Sequence, residues 1–178
     1  MIRAATVEDA AQVAEIYLGS RKRHVAFAPL VHSDAEIHCW VQQVLIPRSR
    51  VLVVEEAGRI VAMMAVSKTD KGSWIDQLYV HPDMTSRGLG AALMEEAKKE
   101  LPQPILLYTF QQNQRSRRFY ERQGFVAVSF SDGNQNEERC PDVLYRWEQK
   151  RPKGTAPNGG PATPHGNSGA TEGPPSVS

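Results

Sequence analysis

Two short segments hold most of the residues able to do chemistry. The first, Tyr79 to Leu93, reads YVHPDMTSRGLGAAL and sets Arg87, Gly88 and Gly90 between the end of a predicted strand and the start of a predicted helix. Such a junction receives anions: unpaired N–H groups at the helix start point outward, the helix dipole adds partial positive charge, and glycine lets a diphosphate approach the main chain. Arg87 supplies a mobile cation there. A ligand-free turn has the same spacing, so spacing alone leaves both readings open. Two nucleotide motifs are disfavoured. A P-loop needs Gly-Lys-Ser/Thr, whereas Gly90 is followed by Ala91, Ala92 and Leu93, and a dinucleotide fingerprint needs Gly or Ala where Leu93 stands. The second segment places Asn113, Ser116 and Tyr120 at i, i+3 and i+7 of a predicted helix, and so on one face. A single wall can then offer an amide, a hydroxyl and a phenol to a ligand.

The elements that position these groups follow from hydrophobic spacing. Ile2 and Arg3 begin a short strand. Thr6 caps a first helix carrying Ala10, Val13, Ala14 and Tyr17, and Gly19 to His32, with no clean period, reads as a long functional loop. Ser33 and Glu36 have capping-box spacing before the stripe Ile37, Trp40, Val41, Val44 and Leu45, which Pro47 should stop. Val51 to Val54 and Ile60 to Val66 form a hairpin, and Trp74 to Val80 is the next strand. A helix opens at Gly88 and ends before Pro102, and Ile105 to Phe110 follows as a strand. This strand–helix–strand unit requires a parallel pair with a right-handed crossover. Asn113 caps a helix to Gln123, Gly124 turns the chain, and strands at Phe125 to Phe130 and Val143 to Trp147 complete an α/β domain.

Composition sets the limits. In 178 residues, 40% apolar and 23% charged, a net charge of +1 gives no field suited to nucleic acid or an anionic membrane. The segment Met1 to Ala10 lacks a signal-peptide core, and the longest apolar stretch, Ile60 to Val66, is too short to cross a bilayer. Cys39 and Cys140 are too few for a disulfide framework and show no CxxC spacing, which fits a reducing cytoplasm. His24, His32 and His38 lack the i, i+4 spacing of a metal site, so no metal is expected. Met63 and Met64 read as core filler, and Trp40 as part of its stripe or a border of the cleft. From Arg151 to Ser178, 12 of 28 residues are Gly or Pro, and Leu, Ile, Phe, Tyr, Trp and Met are missing. The expected organisation is a folded domain over residues 1–148 and a disordered tail over 149–178.

Arg87-Gly88-Leu89-Gly90-Ala91-Ala92 resembles the Arg/Gln-x-x-Gly-x-Gly/Ala signature of the GCN5-related N-acetyltransferase (GNAT) superfamily, and it follows Leu78-Tyr79-Val80-His81-Pro82 as that signature usually does. Asn113, Ser116, Tyr120, Gly124 and Phe125 resemble a second family pattern, with Ser116 where Ala is usual. The element order from Ile2 to Trp147 agrees as well. The resemblance implies a mostly antiparallel mixed sheet with one parallel pair that splays into a cleft for acetyl-CoA, with flanking helices. It further implies that the main chain of Leu78, Tyr79 and Val80 pairs with the pantetheine amides. Arg87, Gly88, Leu89, Gly90 and Ala91 would receive the pyrophosphate, and Asn113 and Ser116 would face the cofactor. One or more of Arg115, Arg117, Arg118 and Arg122 would hold the 3′-phosphate, the others being solvated surface.

The implied reaction moves an acetyl group from the thioester to a primary amine. It needs a neutral amine, a polarised carbonyl and a stabilised thiolate. Asp76 is the candidate base, because strand alternation sets it on one face with Trp74, Leu78 and Val80; Glu55, Asp132, Glu137, Glu138 and Asp142 are the other acids considered. A main-chain N–H near Val80 would polarise the carbonyl. The matching family residue assigns Tyr120 to the departing sulfur. Gly19 to His32 and Ser131 to Cys140 would wall the acceptor side, the partner being a small molecule or a peptide, with the protein a monomer or homodimer. The alternatives are a non-catalytic acyl-CoA sensor or interaction module and, less favoured, a plain nucleotide-binding domain.

Overall fold

A computed structural model describes residues 1–149; residues 150–178, which contain nearly all of the expected tail, lie outside the described residues. A seven-stranded sheet has the order β1-β2-β3-β4-β5-β7-β6. Its strands are β1 (Ile2–Ala4), β2 (Arg50–Glu56), β3 (Arg59–Thr69), β4 (Gly72–Val80), β5 (Ile105–Phe110), β6 (Val126–Ser131) and β7 (Asp142–Trp147). All neighbours are antiparallel except β4 and β5, as the intervening helix requires. The β2–β3 hairpin closes on Ala57 and Gly58, with φ of 49° and 76°, the left-handed pair that matches strand twist in a two-residue turn. No helix among the described residues is long and apolar enough to cross a membrane.

Helices cover both faces. On one, α3 (Leu89–Glu100) and α4 (Gln114–Arg122) bury Leu93, Met94 and Tyr120 against Leu52, Met64, Ile75, Leu78, Ile105, Leu107 and Tyr145. On the other, α1 (Ala10–His24) and α2 (Asp34–Trp40) bury Val13, Tyr17 and Ile37 against Val51, Val53, Met63, Ala65 and Tyr79. Met63 and Met64 are both fully buried, one in each cluster, as the pleat demands. Truncating a residue such as Leu93 to Ala costs about 2 to 5 kcal/mol.

Helix α1 extends through Gly19 to His24, leaving only residues 25–32 as loop where the whole Gly19 to His32 segment was expected. The helical period is masked there because buried positions carry Ser20 and Arg21, whose partners lie far along the chain. Ser33 caps α2 as expected: its N–H donates to Glu36 Oε2 at 2.7 Å and its hydroxyl accepts from the Glu36 N–H at 3.3 Å. Pro47 does not stop this helical stretch. The chain widens into a π-turn over Val41–Leu45 and ends with Ile46–Arg48, so the wider turn ahead of Pro47 absorbs the hydrogen bond that proline cannot make.

Strand β4 carries a bulge. Ile75 pairs with Val66 and Gln77 with Ala65, leaving Asp76 without an opposite residue. The side-chain alternation therefore slips by one, so that Ile75 and Leu78, an odd number apart, both join the core beneath α3.

Candidate active site

Strands β4 and β5 pair only at Ser73 with Ile105 and Trp74 with Leu106. Beyond that point β4 stays with β3 as far as Val80, and β5 follows β7 as far as Phe110, so the two strands splay. A cavity of about 380 Å³ opens beside them, lined by Leu78, Tyr79 and Val80 of β4, by Gly88, Leu89, Gly90 and Ala91 at the start of α3, and by Asn113, Ser116 and Tyr120 along α4. The expected single face of α4 thus presents all three of its residues to one space.

Local chemistry explains the shape. Gly88, at the N-cap of α3, has φ of 79°, a left-handed conformation that favours glycine. A Cβ on Gly90 would lie 3.5 Å from Phe119 Cζ, an ordinary contact, so this glycine is not required by packing. Asn113 caps α4, its side-chain oxygen accepting from the Ser116 N–H at 3.1 Å. Tyr120 is only 2% exposed and sits among the rings of Phe119, Phe125 and Tyr145 at centroid distances of 5.3, 6.1 and 6.1 Å. Ser20 ties α1 to the strand end by donating to the Val80 carbonyl at 2.6 Å.

Arg87 does not line the cavity. It is exposed, and its Nη1 lies 3.0 Å from Glu56 Oε2 on the β2–β3 hairpin. Of the α4 arginines, Arg115 and Arg122 line the cavity, whereas Arg117 donates to the Tyr145 hydroxyl and the Gln111 carbonyl and lies over Phe130. Arg115 also contacts His24 Nδ1 at 3.3 Å, while His32 pairs with Glu137 and His38 with Glu15, each at 3.2 Å. Trp40 packs on Tyr17 at 5.9 Å.

The expected placement of Asp76 needs correction. It shares a face with Trp74, but not with Leu78 and Val80, because the bulge at Asp76 reverses the alternation. Trp74 stands opposite Ser67, and the Ser67 hydroxyl donates to Asp76 Oδ1 at 3.0 Å, which sets Asp76 on the α1 side of the sheet and outside the cavity lining. Burial pushes its carboxyl up to about 6, with the Ser67 hydrogen bond opposing the shift. The other acids are engaged elsewhere. Glu55 holds Arg3 at 2.7 Å, Asp132 caps Asn134, Asp142 accepts from Ser131 at 2.6 Å, and Glu137 holds His32.

Glu138 is part of a feature that sequence reading missed. It forms a buried ion pair with Arg21 at 3.1 Å, both side chains being 3% exposed or less, and so joins α1 to the β6–β7 loop. Arg21 also donates to the Pro29 carbonyl at 3.2 Å and lies 5.6 Å from the Phe110 ring centroid. Burial pushes the Glu138 carboxyl up against the opposing pull of Arg21. The available signal was Arg21 lying four and eight residues after Tyr17 and Val13 on the buried stripe of α1, where a cation requires a partner. A second missed feature is the stacking of Trp74 on Tyr108, centroids 5.6 Å apart and planes 18° apart.

Residues 13–125 match the family model described as Acetyltransferase (GNAT) family. The chain belongs to the GNAT family. Among curated GNAT relatives, it is 30% identical over 95 residues to the peptidyl-lysine N-acetyltransferase YiaC of Escherichia coli (strain K12), a match covering 53% of this chain and 61% of YiaC. The chain therefore spans less than two thirds of that relative. Similar solved folds include the PaiA N-acetyltransferase of Thermoplasma acidophilum in complex with coenzyme A, at a TM-score of 0.66 and 19% identity over 84% of this chain and 98% of that one. A GNAT acetyltransferase of Bacillus cereus ATCC 10987 gives a TM-score of 0.66 and 16% identity over 85% and 98%. The mixed sheet with one parallel pair is the architecture this GNAT chain shares with them.

Proposed function

We propose that this protein is an acetyl-CoA-dependent N-acetyltransferase that acetylates a primary amine. The observation that carries the reading is the parting of β4 from β5 after Trp74 and Leu106, which leaves the edge of β4 open toward a cavity ending at the start of α3. The residues fit the donor. Open strand edge at Leu78, Tyr79 and Val80 matches the amides of a pantetheine arm, and the exposed amides around Gly88 and Gly90 match a diphosphate. Arg115 and Arg122 offer charge for a further phosphate. The donor supplies an activated acetyl thioester; the protein's own groups orient it, accept a proton from the amine and stabilise the leaving sulfur.

Tyr120, on the cavity wall, is the group assigned to the leaving sulfur. Its phenol would stabilise the departing thiolate by donating a hydrogen bond to the sulfur. Asp76 is assigned to the amine. A carboxyl pushed up to about 6 is a better base near neutral pH than an ordinary aspartate, and the bulge turns it away from the donor cavity toward the other side of the splay. A lysine side chain is the acceptor class favoured by the similarity to YiaC.

The test is release of free CoA thiol across a panel of amines, with acetyl-CoA binding followed by thermal shift. Donor at 100 times its Kd should stabilise the protein by about 2.7 kcal/mol. Thiol release with at least one amine is the expected result. Tight donor binding without release for any amine would overturn the transferase reading in favour of an acyl-CoA sensor.

A further inference from the structure

Where β4 and β5 part, each strand carries one large aromatic ring on the α1 side of the sheet. Trp74 belongs to the last parallel pair, and Tyr108 lies two residues beyond its partner Leu106 on β5. Their stacked rings therefore bridge the point where the two strands begin to part. The indole is fixed, because Trp74 Nε1 donates to Thr69 Oγ1 at 3.1 Å. Tyr108 remains 37% exposed, although large aromatic surface left in water is unfavourable.

The surroundings have a direction. Asp76 lies on the same face, joined to Ser67, which stands opposite Trp74. On the other side of Tyr108, Phe110 lies two residues along β5 on the same face, with Phe27 of the α1–α2 loop against it at 5.8 Å. Helices α1 and α2 pack over Met63, Ala65 and Tyr79, and α3 and α4 lie on the opposite face. The ring pair is thus a preformed aromatic surface with a carboxylate beside it, on the side of the sheet away from the donor cavity. Rings hold a cation over their faces and an alkyl chain along them, and a carboxylate adds charge for an ammonium head.

We propose that the stacked Trp74–Tyr108 pair beside Asp76 is the platform that binds the alkylammonium stem of the acceptor, making the protein selective for lysine-type amines over short or uncharged ones. This rests on the transferase reading, and it adds the residues that set acceptor choice. The position of the rings makes them recognition residues, with no bond formed or broken on them.

The experiment uses the full chain saturated with CoA, calorimetric titration of Nα-acetyl-lysine methylamide, and acetylation assays of the same amide and of ethanolamine. Tyr108→Leu is expected to raise the Kd and KM for the lysine amide about tenfold, within the range of a desolvated cation–π contact, and to leave the acetyl-CoA Kd within about twofold. Tyr108→Phe, which keeps a ring, should stay within about threefold of the parent. Nα-acetyl-norleucine methylamide, which lacks the amine, should bind about tenfold more weakly than the lysine amide. Turnover by the parent with unchanged lysine-to-ethanolamine selectivity in Tyr108→Leu would overturn the platform and leave the transferase standing. Ring-dependent binding of the lysine amide without any turnover would support the platform and overturn the transferase. A parent that binds lysine and norleucine amides equally, or binds neither, overturns the platform.

Discussion

The two sides of the splay are built from different materials. On the side proposed for the donor, main chain is prominent: an open strand edge at Leu78 to Val80, a left-handed Gly88, and Gly90 with no side chain, facing the α4 side chains of Asn113, Ser116 and Tyr120. The α1-facing side is made of side chains, namely Asp76 on its bulge, the Trp74–Tyr108 stack, and the Arg21–Glu138 pair, whose members lie 117 residues apart in sequence. Main chain is the same in every residue, so a wall made of it suits a ligand that does not vary. Side chains differ, so a wall made of them can be tuned to one amine. If the proposed function holds, this division predicts that substitutions on the two sides separate into effects on donor and effects on acceptor.

The largest effect is expected at Tyr120, on the cavity wall. Tyr120→Phe should lower kcat about 10²- to 10⁴-fold while the acetyl-CoA Kd stays nearly constant, read by steady-state kinetics beside a thermal-shift titration. Unchanged turnover would remove Tyr120 from the chemistry. Asp76→Asn should lower kcat/KM for the amine by about 10². In the parent, kcat/KM should rise with pH through about 6 as Asp76 ionises, and the variant should lose that limb. Stability moves the other way. The folded pKa is raised from 3.8 to about 6, so the stability gained from the protonated form is full below pH 3.8 and is lost as pH rises to about 6. Asp76→Asn should therefore melt higher than the parent at pH 7.5, with the gap closing toward pH 4. A carboxyl without a role at the amine would shift melting and leave the kinetic limb in place.

The same division governs what could be read from sequence. Donor-side residues fall in two local segments, and the punctuation around them is local too: Gly88 opens α3, Asn113 caps α4, and Gly124, at φ of 84°, ends it. The α1 side depends on pairing between distant positions. Ser20 and Arg21 break the apolar period of α1, yet both are buried, because Val80 and Glu138 provide their partners only once the chain has folded. The face of Asp76 is hidden from the sequence for a different reason: one unpaired residue in β4 reverses the alternation, and no residue type around it marks a bulge. Trp74 and Tyr108 each look like ordinary strand residues until the splay places one beside the other.

Glu138 tests how much of the loop side is held by its buried pair with Arg21. Glu138→Ala would strand the Arg21 guanidinium in a site where it is 2% exposed, and should cost about 3 kcal/mol in chemical denaturation, the usual penalty for breaking a buried pair from one end. Acetyl-CoA affinity of the folded variant should change little, since neither residue lines the donor cavity. A loss of donor affinity comparable to the loss of acceptor affinity would mean that the two sides are one mechanical unit.

The smallest effects compare two neighbours in the donor-side signature. Gly90→Ala adds a Cβ 3.5 Å from Phe119, an acceptable contact, so melting should stay within a degree or two of the parent. On the proposed reading the methyl group would crowd the main chain assigned to the diphosphate, raising KM for acetyl-CoA about tenfold. Arg87→Ala removes an exposed cation held by Glu56 and outside the cavity lining. Exposed pairs contribute less than about 1 kcal/mol and are screened by salt, so KM should rise no more than about threefold, and less as ionic strength increases. If Arg87→Ala instead exceeded Gly90→Ala and kept its effect at high salt, charge rather than exposed main chain would dominate donor binding, and the two sides of the splay would differ less than their construction indicates.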